Sequence, residues 1–194
     1  MITFSRENEK LMQELKKFSS ETYHHCFRVK KLTLTMIQYI NRNIAPTFSQ
    51  DEIDWICKGA LMHDIGKLFV RNYVLTKKSS LTQEEREAIN QHTVTGSEAV
   101  QKGLSEQESR IVMDICLYHH ERAQEHLCEK DDDLPLYVQI VAICDAYDAL
   151  CNERHYHKAY TPEESIAKIE GGECGAFSRF MLDCLKETIK IGYV

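Results

Sequence analysis

The sequence predicts an all-α fold, on three observations. Only three prolines and eight glycines punctuate 194 residues. Apolar residues recur at helical spacing in one segment after another. No segment alternates polar and apolar residues over a useful strand length. A chain of this length can build one sizeable core and is short for two. No repeat or linker divides it, so residues 1–194 read as a single domain.

The elements follow in order. Residues from about 20 to 43 form a helix, with Phe27, Leu32, Leu34, Ile37 and Ile40 near helical spacing. Ser49 is an N-cap with Glu52 three residues on, the pattern of a capping box. That helix carries Trp55, Ile56, Ala60 and Leu61, runs to about His63, and is broken by Gly66. Residues 67–80 connect it to a helix that begins near Thr82 and carries His92. Ser105 caps the next helix, which ends near His120. The polar stretch "RAQEHLCEKDDD" is a loop, and Pro135 opens a helix through about Leu150. Pro162 suits the first turn of a further helix, and the last runs from about Phe177 to Lys190.

Composition narrows the function. At 43% hydrophobic and 28% charged residues the chain is that of a soluble globular protein. A net charge of −6 argues against general binding of nucleic-acid polymers, which meet phosphates with basic surface. It leaves room for a local positive site that takes a small phosphorylated ligand. Cys57, Cys116, Cys144 and Cys184 fall among aliphatic residues, and no Cys-x-x-Cys pair exists, so neither a disulfide framework nor a thiolate zinc site is expected. The segment "MITFSRENEKLMQELKK" lacks an apolar signal core, and no run approaches membrane-spanning length. A reducing cytoplasm is the expected location, with no membrane partner.

The ionisable residues sit where a core would be. "LMHDIGKL" ends an apolar helix with His63 and Asp64, and a buried carboxylate beside an imidazole is costly unless a cation compensates it. Glu21 and His25, four residues apart, share a helix face. His92 lies on another helix, His119 and His120 close the next, and Asp145 falls within the apolar "VQIVAICDAYDAL". Taken singly, His92 reads first as an ordinary surface or core histidine, whereas His119 and His120 read equally as a polar helix end and Asp145 as an acid bonded to backbone. Asp131 to Asp133 read as solvated loop, and His126, His155 and His157 as peripheral. Together, the inward donors form the mixed imidazole and carboxylate set that holds metal ions with open positions.

The order His25, His63-Asp64, then a distant Asp145 resembles the signature of the HD superfamily of metal-dependent phosphohydrolases. It is closest to the HD-GYP branch, the group associated with cyclic di-GMP hydrolysis. "HDIGK", "SLTQEEREAINQHTVTGSEAV", "HHE", "LPLYVQIVAICDAYDAL" and "RHYHKAYTPEES" echo that branch, over roughly residues 20 to 185. Its Gly-Tyr-Pro is absent; here HHE is followed by "RAQEHLCEKDDDLP", with Glu125, Glu129 and three aspartates.

The resemblance implies a single-domain helical bundle of the HD type. It implies metal ligands at Glu21, His25, His63, Asp64, His92, His119, His120 and Asp145, holding two or three divalent ions, commonly iron or manganese. Asp64 would bridge two ions, and Glu21 would serve a third. Lys67 would contact substrate phosphate, Asp148 would stand behind the ligands, and Arg154 and Lys158 would meet phosphates. The activity implied is a phosphodiesterase that uses a metal-bridging hydroxide on a cyclic dinucleotide or related phosphate ester, with a homodimer as a candidate assembly. The alternative is a catalytically weak signalling or ligand-binding module of the same fold.

Overall fold

A computed structural model describes residues 4–77, 79–102, 104–121, 134–152 and 158–192. Ten α-helices appear among them, with no strand. They are α1 Arg6–Phe18, α2 Ser20–Asn43, α3 Gln50–Met62, α4 Asn72–Leu75, α5 Gln83–Asn90, α6 His92–Val100, α7 Glu106–Tyr118, α8 Leu136–Cys151, α9 Pro162–Glu170 and α10 Arg179–Lys190. A 3-10 turn, Ile65–Phe69, follows α3.

Hydroxyl caps start most of the longer helices, because a Ser or Thr oxygen accepts one of the N–H groups that the first turn leaves unpaired. Ser49, Thr82 and Thr161 form full capping boxes with Glu52, Glu85 and Glu164. Pro162 takes the first helical position of α9, where its missing N–H costs nothing. Ser19 ends α1 and caps α2 at once. The sequence reading did not include α1, although Asn8, Met12 and Leu15 mark its buried face.

Two expected elements differ in the structure. The helix from Thr82 breaks at Gln91, so His92 opens α6 instead of riding on α5. The reason is burial: α5 buries none of its residues, whereas α6 buries His92, Gly96, Ser97 and Val100 and must follow the core. Gly66 also works differently. It lies inside the 3-10 turn and has no positive φ; its importance is close approach. A Cβ there would lie 1.9 Å from the His92 carbonyl oxygen and 2.7 Å from the Gly96 nitrogen.

Two apolar clusters hold the bundle. The larger gathers Val29, Leu32, Ile37, Ile40, Ile56, Ile115, Val141, Ile143 and Leu185, from α2, α3, α7, α8 and α10. The smaller gathers Met12, Leu15, Cys26, Met62, Ile65, Val100 and Cys116, which seats α1 and the 3-10 turn. Cys57, Cys116, Cys144 and Cys184 are buried free thiols, as expected of small hydrophobes. Phe27, expected on the buried face of α2, is instead 41% exposed and packs on Tyr23. No described helix is long and apolar enough to cross a membrane.

Gly66→Ala should therefore destabilise the protein by about 1–3 kcal/mol, the usual cost of forced overpacking. The urea midpoint, read at unchanged slope, measures it. An unchanged midpoint would show that the turn can slide away from α6 freely.

Candidate metal centre

Six donor-bearing residues from five helices and the turn after α3 meet at one place. His63 and Asp64 leave the end of α3, His92 starts α6, His119 ends α7, His25 stands on the first turns of α2, and Asp145 on α8. All six are buried. Their imidazole rings lie close, with centroids 5.3 Å apart for His25 and His63, 4.9 Å for His63 and His119, and 5.3 Å for His92 and His119.

The hydrogen bonds determine where the protons sit. A main-chain carbonyl can only accept, so a ring nitrogen against one carries the hydrogen. His63 Nδ1 donates to Ala60 O at 2.8 Å, His92 Nδ1 to Ile89 O at 2.6 Å, and His119 Nδ1 to Cys116 O at 2.9 Å. His25 Nδ1 donates to Asp148 Oδ2 at 2.7 Å. In each neutral ring, Nε2 then holds a lone pair.

Those lone pairs converge on carboxylates. His25 Nε2 lies 3.0 Å from Asp145 Oδ1, and His63 Nε2 3.8 Å from the same oxygen. Asp64 divides its oxygens: Oδ2 faces His63 at 3.6 Å and His25 at 3.8 Å, while Oδ1 faces His92 at 3.3 Å and His119 at 4.0 Å. His92 Nε2 and His119 Nε2 point at each other over 3.3 Å. The Nε2 atoms of His25 and His63 are buried without a hydrogen-bond partner. Acceptors facing acceptors in a dry interior are reconciled by a cation between them, a metal ion or, at His25, a ring proton shared with Asp145.

The charge states agree with that demand. Burial would raise the Asp64 pKa, but Lys67 and His63, with His92, outweigh it and hold the carboxyl well below its ordinary range. Asp145 is held well below as well, its burial outweighed by His25, His63 and His119. Burial pushes His63 down and His119 well down, and lowers His120 to about 4. His25 alone is raised: burial would lower it, but Asp145 and Asp148 on either side of the ring prevail.

Two groups of donors are close enough to hold an ion each: His25, His63 and Asp145, and His92, His119 and His120. A third combination, Cys26 with His63 and Asp64, overlaps the first. His120 is exposed, with its ring 4.0 Å from that of His119. The residues thus fit divalent metal ions, in chemistry and in number of donors.

The remaining expected residues fall around this centre. A cavity of about 660 Å³ opens onto it, lined by Glu21, His25, Arg28, Asp64, Lys67, Lys77, His92, His120 and Asn152 among others. Lys67 Nζ stands 2.5 Å from Asp64 Oδ2. Glu21 is exposed at the start of α2 and belongs to none of the three donor groups. Lys158 is exposed and does not line the cavity. Arg154, His126, His155, His157 and the acidic loop 122–133 lie outside the described residues. Arg28, Lys77 and Asn152 went unnoticed in the sequence, although Arg28 follows His25 by one helical turn and Asn152 follows Asp148 likewise.

The chain is similar to several known proteins. A probable cyclic di-GMP phosphodiesterase of Vibrio cholerae is 29% identical over 173 residues, covering 84% of this chain and 39% of that protein. A cyclic di-GMP phosphodiesterase of Thermotoga maritima is 32% identical over 158 residues, 77% of this chain and 40% of that protein. The chain thus spans about two-fifths of the length of these two relatives. Among solved structures, the HD domain of the L. monocytogenes phosphodiesterase PgpH superposes with a TM-score of 0.63 at 18% identity, over 92% of this chain and 94% of that one. The same PgpH domain has been solved in complex with cyclic-di-AMP. The family model for the HD domain matches residues 22–150, two-thirds of the chain and the span that holds all six buried donors, and on that match the chain belongs to the HD domain family.

Proposed function

We propose that this chain is a metal-dependent phosphodiesterase that acts on a cyclic dinucleotide or a related phosphate ester. The observation that carries the reading is a cavity that four of the donors, His25, Asp64, His92 and His120, line together with the cations Lys67, Arg28 and Lys77. At about 660 Å³ it is of the size that takes a small organic ligand. Phe18, Val74, Leu75, Leu81 and Ile89 add apolar surface, and Ser19, Thr22 and Thr76 add hydroxyls, which suits bases and sugars. The names of the relatives and the cyclic-di-AMP complex of the PgpH domain support the same class of substrate.

In this reading His25, His63 and Asp145 would hold one ion and His92, His119 and His120 another, with Asp64 beside both groups. Iron or manganese suits such nitrogen and carboxylate donors. When bound, the ions supply Lewis acidity toward phosphoryl oxygens and an acidified water as nucleophile. Lys67 shields the Asp64 charge and presents an ammonium to the phosphate as negative charge builds in the transition state. Glu21, at the cavity wall, would serve a third ion, and Arg154 and Lys158 would meet phosphates further out. The buried free thiols suit a reducing cytoplasm.

Asp64→Ala should abolish hydrolysis of cyclic di-GMP and of bis-p-nitrophenyl phosphate, measured with added manganese or iron, while circular dichroism keeps its helical signal. Lys67→Ala should lower kcat and leave the metal content intact, because the ammonium is not a ligand. A fully metallated wild type that turns over neither cyclic dinucleotides nor generic diesters would hand the chain to the ligand-binding alternative, which its missing Gly-Tyr-Pro favours.

Glu21→Gln provides a separate check on the third ion. The expected result is one metal fewer per chain with the other two retained. An equal metal count in the variant and wild type would reduce Glu21 to a wall residue.

A further inference from the structure

The four buried imidazoles are not held alike. His63, His92 and His119 each donate Nδ1–H to a carbonyl three residues earlier: Ala60, Ile89 and Cys116. Their orientation comes with their own backbone. His25 instead donates to Asp148, 123 residues away on α8. Its ring is set only once α2 and α8 have packed in register.

Asp148 is itself gripped from several sides. Arg28 Nε donates to Asp148 Oδ1 at 2.8 Å, and Arg28 Nη2 to Oδ2 at 3.0 Å, a two-pronged contact that lysine cannot reproduce. Asn152 Nδ2 donates to Oδ1 at 3.1 Å and to the Asp148 carbonyl at 2.9 Å. The carboxylate is 5% exposed, so its rotation would leave buried acceptors unpaired. Arg28 sits one turn after His25 on α2, so a single helix face presents both the ring and the fork that holds the ring's partner.

We infer that Arg28 is a positioning residue which, through Asp148, fixes the ring plane and the Nδ1–H tautomer of His25 and so sets the metal affinity of the His25–His63–Asp145 group alone. This rests on the metal-centre reading above. An imidazole backed by a carboxylate is a stronger and better-oriented donor than one backed by a carbonyl. The two donor groups are therefore unequal: one is tuned by helix geometry, the other by the contact between α2 and α8.

The test compares the full chain with Arg28→Met, Arg28→Lys and Asp148→Asn, with the exposed His24→Ala as control. Each is loaded with manganese and titrated with a chelator, and bound manganese is counted by mass spectrometry. Arg28→Met and Asp148→Asn should weaken one ion by about 10–100-fold and leave the other at wild-type affinity. Arg28→Lys should recover part of the loss, and His24→Ala should bind as wild type. In the double variant His92→Ala/Arg28→Met both ions should be weak, which assigns the Arg28-dependent ion to the His25 side. Because losing a buried ion pair also lowers stability, the ratio of the two affinities decides, not the melting temperature. Equal weakening of both ions would make the pair a structural brace and overturn the inference. Two ions at wild-type affinity in Arg28→Met would overturn it too, with the metal centre intact. A wild type that takes up no manganese would instead overturn the metal-centre reading, and the inference with it.

Discussion

Asp64 is buried where the Nε2 atoms of four imidazoles and a second carboxylate converge, an arrangement that cations held between them would reconcile. Water cannot screen the charges, since Asp64 is 1% exposed and His63 and His119 are 0% exposed. Lys67 supplies one positive charge at Asp64 Oδ2. Its direct contact is with Oδ2, whereas Oδ1 faces His92 and His119 and Asp145 faces His25. Divalent ions held by these donors would satisfy the remaining acceptors at once and would let a core this polar be part of a stable fold.

The bundle places these donors with simple means. Helix ends are where side chains can turn into a core without breaking a ladder of backbone bonds, and three of the four buried histidines stand at helix ends. The unpaired carbonyls of those ends then take the Nδ1–H of each ring, so a terminus that needs donors and an imidazole that needs orienting satisfy one another. The closeness of the 3-10 turn to α6, which the missing side chain of Gly66 permits, brings Asp64 within reach of His92.

The cavity shares its residues with this centre. Its second wall comes from residues 72, 74–77 and 79–81, which precede a helix, α5, that buries none of its residues. Function and stability are thus divided in space: the apolar clusters hold α2, α3, α7 and α8, and the lightly packed segment encloses the ligand space.

Much of this was legible in one dimension. The capping box at Ser49, Pro162 in a first turn, the thiols used as core residues, and the six inward donors all follow from local rules about caps, periodicity and the cost of buried charge. The order of the His and Asp motifs was enough to indicate the family, because ligand order along the chain follows from the order of the helices. What the sequence could not determine is which partner each donor meets. The break at Gln91 depends on which helix finds a core to bury against, and the role of Gly66 depends on a carbonyl 26 positions away in the chain. The split of Asp64 between two histidine pairs, and the fork of Arg28 on Asp148, are long-range contacts. Tertiary packing decided them, since a side chain's local pattern states that it turns inward but not what stands opposite.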